Sequence, residues 1–153
     1  MTVKVDIELD REFTVAADIE TVFTLLADVE GSASHFPKVD TLTDLGDNTF
    51  RWEMEKVGVG GHAIQTTYAC KYVPDNGAKT VVWSPIKGEG NGVVSGGWEM
   101  TESGSGTLVK FRTKAEMTLP LPGLLKIAIS PVVKHEFGSM VDTYIDNLQG
   151  VLN

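Results

Sequence analysis

PVVKHEFGSMVDTYIDNLQGVLN, residues 131–153, is the stretch whose reading decides the fold. Its apolar residues are Val133, Phe137, Met140, Val141, Tyr144, Ile145, Leu148, Val151 and Leu152. They recur at steps of three and four, which predicts one stripe along a helix. The other face carries Lys134, Glu136, Asp142, Asp146 and Gln149. Pro131 suits the first turn, where a missing N–H costs nothing, and Ser130 suits the N-cap. Such a helix is marginal alone in water. Its stripe has to lie on a wide apolar surface, and the rest of the chain must supply it.

Upstream, the hydropathy pattern supplies that surface. Val3, Val5, Ile7, Leu9, Phe13 and Val15 alternate with Lys4, Asp6, Glu8, Asp10, Glu12 and Thr14. This period of two predicts a long strand with one wet face, and Arg11 falls on its apolar side. The pattern then changes. Asp18 reads as an N-cap ahead of Ile19, Val22, Phe23, Leu25 and Leu26 at helical spacing. That helix is expected to stop near Asp28 to Gly31, with a short second turn over Ser32 to His35 before Phe36-Pro37. From there to Leu119 only strands and turns are expected. Val39 to Leu45 is a weak strand and Gly46-Asp47-Asn48 a turn. Phe50, Trp52 and Met54 alternate with Arg51, Glu53 and Glu55. Gly58 to Gly61 turns into a strand in which His62, Ile64, Thr66, Tyr68, Cys70 and Tyr72 share a face. Asp75-Asn76-Gly77 is a hairpin signal. Thr80 to Ser84 is a strand ended by Pro85, and Gly88 to Gly92 is a loop. Val94, Gly96, Trp98 and Met100 share a face, and Glu102 to Gly106 turns. Val109, Phe111, Thr113, Ala115, Met117 and Leu119 then face away from Lys110, Arg112, Lys114 and Glu116. Successive hairpins with one polar face predict an antiparallel sheet covered on one side, with the C-terminal helix as the cover.

Composition bounds the function classes. At 153 residues one domain over 1–153 with a sizeable core is expected. The formal charge of -8 argues against a nucleic-acid partner and gives no help on an anionic lipid surface. Cys70 is the one cysteine, so neither an intrachain disulfide nor a cysteine zinc cluster is expected. Met1-Thr2-Val3-Lys4-Val5-Asp6 lacks a signal-peptide apolar run, and no run is long enough to span a membrane. A cytoplasmic protein is the default expectation.

Several local patterns go beyond composition. Phe13-Thr14-Val15 leads to Ile19, Val22, Phe23, Leu26 and Asp28-Val29-Glu30, and Phe36-Pro37 closes the short helices. Leu119-Pro120-Leu121-Pro122-Gly123 is followed by Ser130-Pro131-Val132-Val133 and the long helix. Together they resemble the START-like (SRPBCC) superfamily, the helix-grip proteins related to the birch pollen allergen and to polyketide cyclases/dehydrases. The resemblance covers nearly the whole chain. Asp28-Val29-Glu30, Phe36-Pro37 and Phe137, Met140, Val141 look most like its coenzyme Q-binding branch, with the carbon monoxide dehydrogenase G subunit similar in strength. The resemblance implies an α+β helix-grip domain. A curved antiparallel sheet of about seven strands would wrap around the long C-terminal helix, with two short helices after the first strand. It also implies a cavity for a long hydrophobic molecule, and it brings no catalytic signature.

The inward faces nominate Trp52, Met54, Ile64, Tyr68, Trp98, Met100, Phe111, Met117, Phe137, Met140 and Tyr144, with small Thr66, Gly96, Thr113 and Ala115 among them. By periodicity alone these residues fill a core. The resemblance implies instead that Trp52, Met54, Ile64, Thr66, Tyr68, Trp98, Met100, Phe111, Met117, Phe137, Met140 and Tyr144 line a ligand cavity. Arg11, His62, Thr66, Tyr68 and Tyr144 are polar candidates to orient a ligand carbonyl or hydroxyl. Buried polar groups must be paired, so the competing reading is that they pair with each other or reach the rim. His62 beside Gly60-Gly61 reads as rim, Arg11 as paired or snorkelling, and Phe36 as a lip. His35, His62 and His135 show no metal-ligand spacing. Gly88 to Gly92 lacks the Lys-Ser/Thr of a phosphate loop. Glu53 and Glu55 read as solvation of a polar face, and no cofactor is expected.

Leu119, Leu121, Leu124, Leu125, Ile127, Ala128 and Ile129 are too apolar for a solvated loop. They read either as a short helix packed over the sheet's end or as a gate making transient membrane or protein contact through 119–129. The leading expectation is a carrier of a hydrophobic small molecule, a lipid or isoprenoid quinone. One alternative is a polyketide cyclase/aromatase-like enzyme using a Tyr, His or Arg as acid. Another is an interaction module with a filled core. No acid–base cluster converges in the sequence, which favours binding over catalysis, although a cyclase can work largely by shaping its substrate.

Overall fold

The computed structural model describes residues 2–59 and 61–153. The first strand, β1 (Val3–Val15), follows the expected alternation: Val3, Val5 and Ile7 are buried and the charged residues between them are exposed. Asp18 accepts from the Thr21 N–H and starts α1 (Ile19–Ala27). Hydrogen bonds from the Thr21 side chain and backbone hold its carboxyl below the ordinary value. Asp28 is extended and caps a second helix, α2 (Val29–Ala33), by accepting from Gly31 N–H. The second helix therefore begins earlier than Ser32, because Asp28 is the break. Gly31 belongs to the cap, since a Cβ there would come within 2.5 Å of Asp28 Oδ2.

The sheet contains β2 (Val39–Gly46), β3 (Thr49–Met54), β6 (Thr67–Asp75), β7 (Thr80–Pro85), β8 (Gly92–Ser103) and β9 (Gly106–Leu119) together with β1. Its seven strands run in the order β1-β9-β8-β7-β6-β3-β2, each antiparallel to its neighbours. A separate small hairpin is formed by β4 (Val57–Val59) and β5 (His62–Ile64). The expected turn from Gly58 to Gly61 falls within this hairpin, although Gly60 lies outside the described residues.

Two local readings are corrected, one between His62 and Tyr72 and one at the start of the long helix. The single strand expected from His62 to Tyr72 is broken at Gln65-Thr66. Asn91 makes the break: its side chain accepts from Thr67 N–H at 2.8 Å and donates to the Gln65 carbonyl at 3.0 Å. The glycine-rich loop that carries Asn91 is thus a brace, and Gly90 (φ +88) passes so close to Thr67 that a Cβ would lie 2.3 Å from its carbonyl oxygen. The hairpin expected at Asp75-Asn76-Gly77 is present and turns over residues 76–79, with Lys79 in the left-handed region (φ 56). Asp75 holds that turn by accepting from Ala78 N–H.

The long helix begins earlier than its apolar stripe predicts. A 3-10 turn at Gly123–Leu125 runs directly into α3 (Lys126–Leu152), which spans 27 residues and contains Pro131. The helix starts before Pro131 in spite of the proline, which as the sixth residue of α3 gives up the bond to the Ile127 carbonyl and crowds it. Buried Leu121 and Ile129 fasten the extra turns to the core. Phe137, Val141, Tyr144, Ile145, Leu148 and Leu152 form the buried stripe, but Val151 is 56% exposed and leaves it. At that end Ala17 N–H donates to the Leu152 carbonyl and Ala16 N–H to Asn153 Oδ1, so the backbone after β1 holds the last turn in place. Midway, Arg11 pairs with Asp142 at 2.7 Å and joins β1 to α3. No helix among the described residues is long and apolar enough to cross a membrane.

Candidate functional site

Three chambers lie in a row between the concave face of the sheet and α3. The inner one has a volume of about 60 Å³. Alternation along the strands aims Trp52 of β3, Tyr68 and Tyr72 of β6, Trp83 of β7, Trp98 of β8 and Phe111 of β9 into it. Leu26 of α1, Ser32 and Ala33 of α2, and Phe137, Val141 and Tyr144 of α3 close it. All three tryptophans of the chain are in this wall. Trp52 and Tyr68 stack with centroids 5.8 Å apart, Trp98 and Phe111 are 4.7 Å apart, and Phe36 lies 4.9 Å from Tyr144.

A neck of about 20 Å³ follows, lined by Phe36, Met54, Thr66, Tyr68, Met117, Phe137 and Met140. Beyond it is a vestibule of about 50 Å³, where Met54, Ile64, Thr66, Met117, Val132, Val133 and Met140 meet a charged rim of Lys38, Glu55 and Glu136. Lys38 pairs with Glu136 there, tying the segment after α2 to α3. Lys38 is held with φ 60, a conformation that lysine rarely takes, and its carbonyl accepts from Glu55 N–H. Phe36, Tyr68 and Phe137 border both the inner chamber and the neck, so their rings form the partition. Phe36 and Ala33 also border a cleft of about 340 Å³ on the outer surface, next to Val39 and Leu42 of β2.

No Asp, Glu, Lys, Arg or His lines the inner chamber among the described residues. Its titratable groups are phenols. Burial raises Tyr144 to about 12, against a smaller lowering by its hydrogen bond with Ser32. Burial also raises Tyr68 and Tyr72 well above the ordinary value. Trp52 Nε1–H donates to the Tyr72 hydroxyl at 2.9 Å, and Thr113 donates to the Ser95 carbonyl at 3.2 Å. Cys70 is fully buried, donates to the Val94 carbonyl and is raised by burial to about 12. It therefore remains a thiol at neutral pH and is no nucleophile. Among the described residues no three His, Cys, Asp or Glu side chains come together to hold a metal ion.

Of the residues nominated from the sequence, Trp52, Tyr68, Trp98, Phe111, Phe137 and Tyr144 line the inner chamber. Met54, Ile64, Thr66, Met117 and Met140 line the neck or vestibule. Met100 lines none of the three; it is buried opposite Val109 in the β8–β9 ladder. Arg11 is engaged with Asp142 and the Asp10 carbonyl, outside the chambers. His62 is exposed on the small hairpin and borders no chamber. Phe36, expected at a lip, instead stands at the junction of chamber, neck and outer cleft. Gly96, expected to leave room for a ligand, leaves room for Trp83, whose ring would lie 2.7 Å from an added Cβ. Sequence reasoning missed Trp83, Tyr72 and Ser32 as wall residues. Tyr72 shares the strand face of Tyr68, and Val81-Val82-Trp83 alternates, so both carried a period-two signal. Ser32 carried none.

A two-layer fold in which a sheet grips a C-terminal helix around an aromatic cavity defines a START-like, SRPBCC-type domain. The family of polyketide cyclase / dehydrase and lipid transport proteins has a model that matches residues 6–152, and the chain belongs to it. No curated protein sequence matches the chain. Among solved structures it is similar to a START superfamily protein from Mycobacterium smegmatis, with TM-score 0.68 and 17% identity over 95% of this chain and 96% of that one. The Zhui aromatase/cyclase from Streptomyces sp. R1128 is similar with TM-score 0.55 and 15% identity, over 96% of this chain and 91% of that one. The di-domain ARO/CYC StfQ from the steffimycin biosynthetic pathway matches 97% of this chain with 51% of its own, at TM-score 0.60 and 15% identity. At such identities these likenesses show the fold.

Proposed function

We propose that the chain acts as a single ligand-binding domain that carries a hydrophobic small molecule, of lipid or isoprenoid quinone type, between its sheet and α3. One observation carries the reading: aromatic and methionine-lined voids continue from the Ser32–Tyr144 pair to a charged rim at Lys38 and Glu136. Native interiors are close-packed, and voids this large are few per domain. Three in a row, sharing walls, weigh against a core that is merely filled. The driving force would be burial of apolar ligand surface, roughly 25 cal/mol per Å² before ordering costs. We place the domain in the cytoplasm, in keeping with a lone cysteine that is a buried free thiol.

The second reading, a cyclase, draws support from the family and from the aromatase/cyclase structures it resembles. The inner chamber favours binding over that reading. Its phenols keep their protons to high pH, and among the described residues no histidine or carboxylate lines its wall to take a proton from a substrate carbon.

Native mass spectrometry of the protein purified from its own host, followed by organic extraction, tests the proposal. A retained quinone or lipid is the expected result. Protein that comes out empty, and whose Tm is unmoved by decylubiquinone and by phospholipid, would overturn it. Turnover of a poly-keto chain that stops with one polar substitution would make the enzyme reading correct instead.

A further inference from the structure

The inner chamber carries more hydrogen-bond donors than its wall can use. Five hydroxyl side chains line it: Ser32, Tyr68, Tyr72, Thr113 and Tyr144. Thr113 O–H donates a hydrogen bond to the Ser95 carbonyl. Ser32 and Tyr144 share one hydrogen bond, so one of their two protons is left over. Tyr72 Oη accepts a hydrogen bond from Trp52 Nε1–H, which leaves its own O–H without a use in the wall. Tyr68 is 8% exposed; no hydrogen bond ties its hydroxyl to the described residues, and the atom is not among the fully buried polar atoms left without a partner, so it keeps contact with solvent. Around this otherwise apolar, aromatic wall three hydroxyl groups thus have a proton that no hydrogen bond within the wall uses.

We propose that this donor cluster selects a ligand with a neutral carbonyl at its inner end, held by Tyr68, Tyr72 and the Ser32–Tyr144 pair while its apolar remainder leads through the neck into the methionine vestibule. This rests on the binding reading above and specifies its ligand. A carbonyl oxygen accepts two hydrogen bonds and brings no donor of its own, so it matches a wall with surplus protons. A hydrocarbon of the same shape displaces water from those hydroxyls and leaves them bare, which is unfavourable. A carboxylate fits worse. Among the described residues no Lys, Arg or His stands in the inner wall to offset its charge, and the rim is net acidic, with Glu55 and Glu136 against Lys38. The wall itself stays neutral across the working pH range, because burial keeps all three phenols protonated. The flat walls, with Trp52 and Tyr68 stacked within 12° of parallel, favour an unsaturated ring next to the carbonyl.

Three small probes separate the possibilities: 1-indanone, indane and indane-1-carboxylate. All three tryptophans line the chamber, so their emission reports occupancy directly, and ligand-observed NMR supplies affinities. The expected result is indanone binding at least tenfold tighter than indane, with the carboxylate weakest. In Tyr68→Phe, which keeps the ring on Trp52, the indanone-to-indane ratio is expected to fall severalfold. Tyr72→Phe provides a second variant with the same readout. A merely structural effect would weaken both probes together and leave the ratio unchanged, which would overturn the proposal. Equal binding of indanone and indane to the native protein would overturn it too, while leaving the hydrophobic cavity standing. Tightest binding of the carboxylate would overturn the neutral head. Binding of none of the three would overturn the carbonyl selection, while the carrier reading is decided separately by the retained ligand and by the response of Tm to decylubiquinone and phospholipid.

Discussion

At the scale of the residue, Gly138 is the clearest weak point in α3. It lies in mid-helix, where glycine costs about 1 kcal/mol relative to alanine. A Cβ there would meet only Arg11 Nη2, at 3.9 Å, so nothing in the packing requires the glycine. Gly138→Ala is expected to stabilise the protein by about 1 kcal/mol, read as a higher denaturant midpoint at unchanged slope. If ligand affinity falls in the same variant, the glycine is where the helix yields to its ligand; if affinity holds, it is a tolerated weakness. Cys70 and Tyr144 make a second residue-scale expectation, in alkali. In the unfolded chain they would ionise near their ordinary values of 9.0 and 10.0, whereas the fold holds both protons to about 12. The folded state thus binds more protons between these limits, so stability falls with rising pH. Their contribution is fully present below pH 9.0 and is lost as pH climbs toward 12. A tenfold difference in acidity between the folded and unfolded chain is worth roughly 1.4 kcal/mol, so the loss should be large enough to follow by Tm from about pH 8 to 11. Cys70→Ala should delay the onset of the decline by about one pH unit. An onset that does not move in that variant would remove Cys70 from the account.

At the scale of the element, the segment from α2 to β2 is the movable wall. Phe36 alone borders the inner chamber, the neck and the outer cleft together. The Lys38–Glu136 pair that restrains the segment is partly exposed, so it contributes little to stability and can open at small cost. Phe36→Ala should therefore speed ligand association several-fold in stopped-flow tryptophan quenching. It should also lower stability by about 2 to 3 kcal/mol, under the ~3–5 kcal/mol of a fully buried phenylalanine because the ring is only half-buried. An unchanged association rate would place the route elsewhere. The same elements show what the sequence could and could not disclose. Period-two alternation is a local consequence of the pleat, so β1, β3, β8 and β9 and their inward residues were legible from spacing alone. The break between β5 and β6 was not, because Asn91 imposes it from 24 or more residues away. The start of α3 was misread for a related reason. Pro131 is a local signal, whereas the burial of Leu121 and Ile129 that carries the helix back to Lys126 is tertiary. Gly96 reads as empty space in one dimension and proves to be the seat of Trp83 in three.

At the scale of the whole molecule, the charge of -8 and the apolar lead-in to α3 act together. Leu124 is 92% exposed and Ile127 89%, while Leu121 and Ile129 beside them are buried, so segment 119–129 is half anchor and half free surface. Val132, in the next turn, borders the vestibule and is itself exposed. We propose that this surface touches a bilayer when ligand passes in or out. Burying Leu124 and Ile127 would stabilise the contact by about 1.5–3 kcal/mol each, enough for brief docking and well short of a stable anchor. The net negative charge then decides which bilayer is favoured, because an anionic surface repels the molecule as a whole. Sedimentation with phosphatidylcholine vesicles should bring down a modest fraction of the protein. Phosphatidylserine vesicles should bring down less at low salt, with the difference shrinking as salt screens the repulsion. Leu124→Asp with Ile127→Asp should abolish sedimentation in both cases while leaving Tm close to the native value, since both side chains are already in water. Sedimentation that is unaffected by the double substitution, or absent from the native protein with either lipid, would end the membrane reading and leave ligand transfer to free diffusion or to a protein partner.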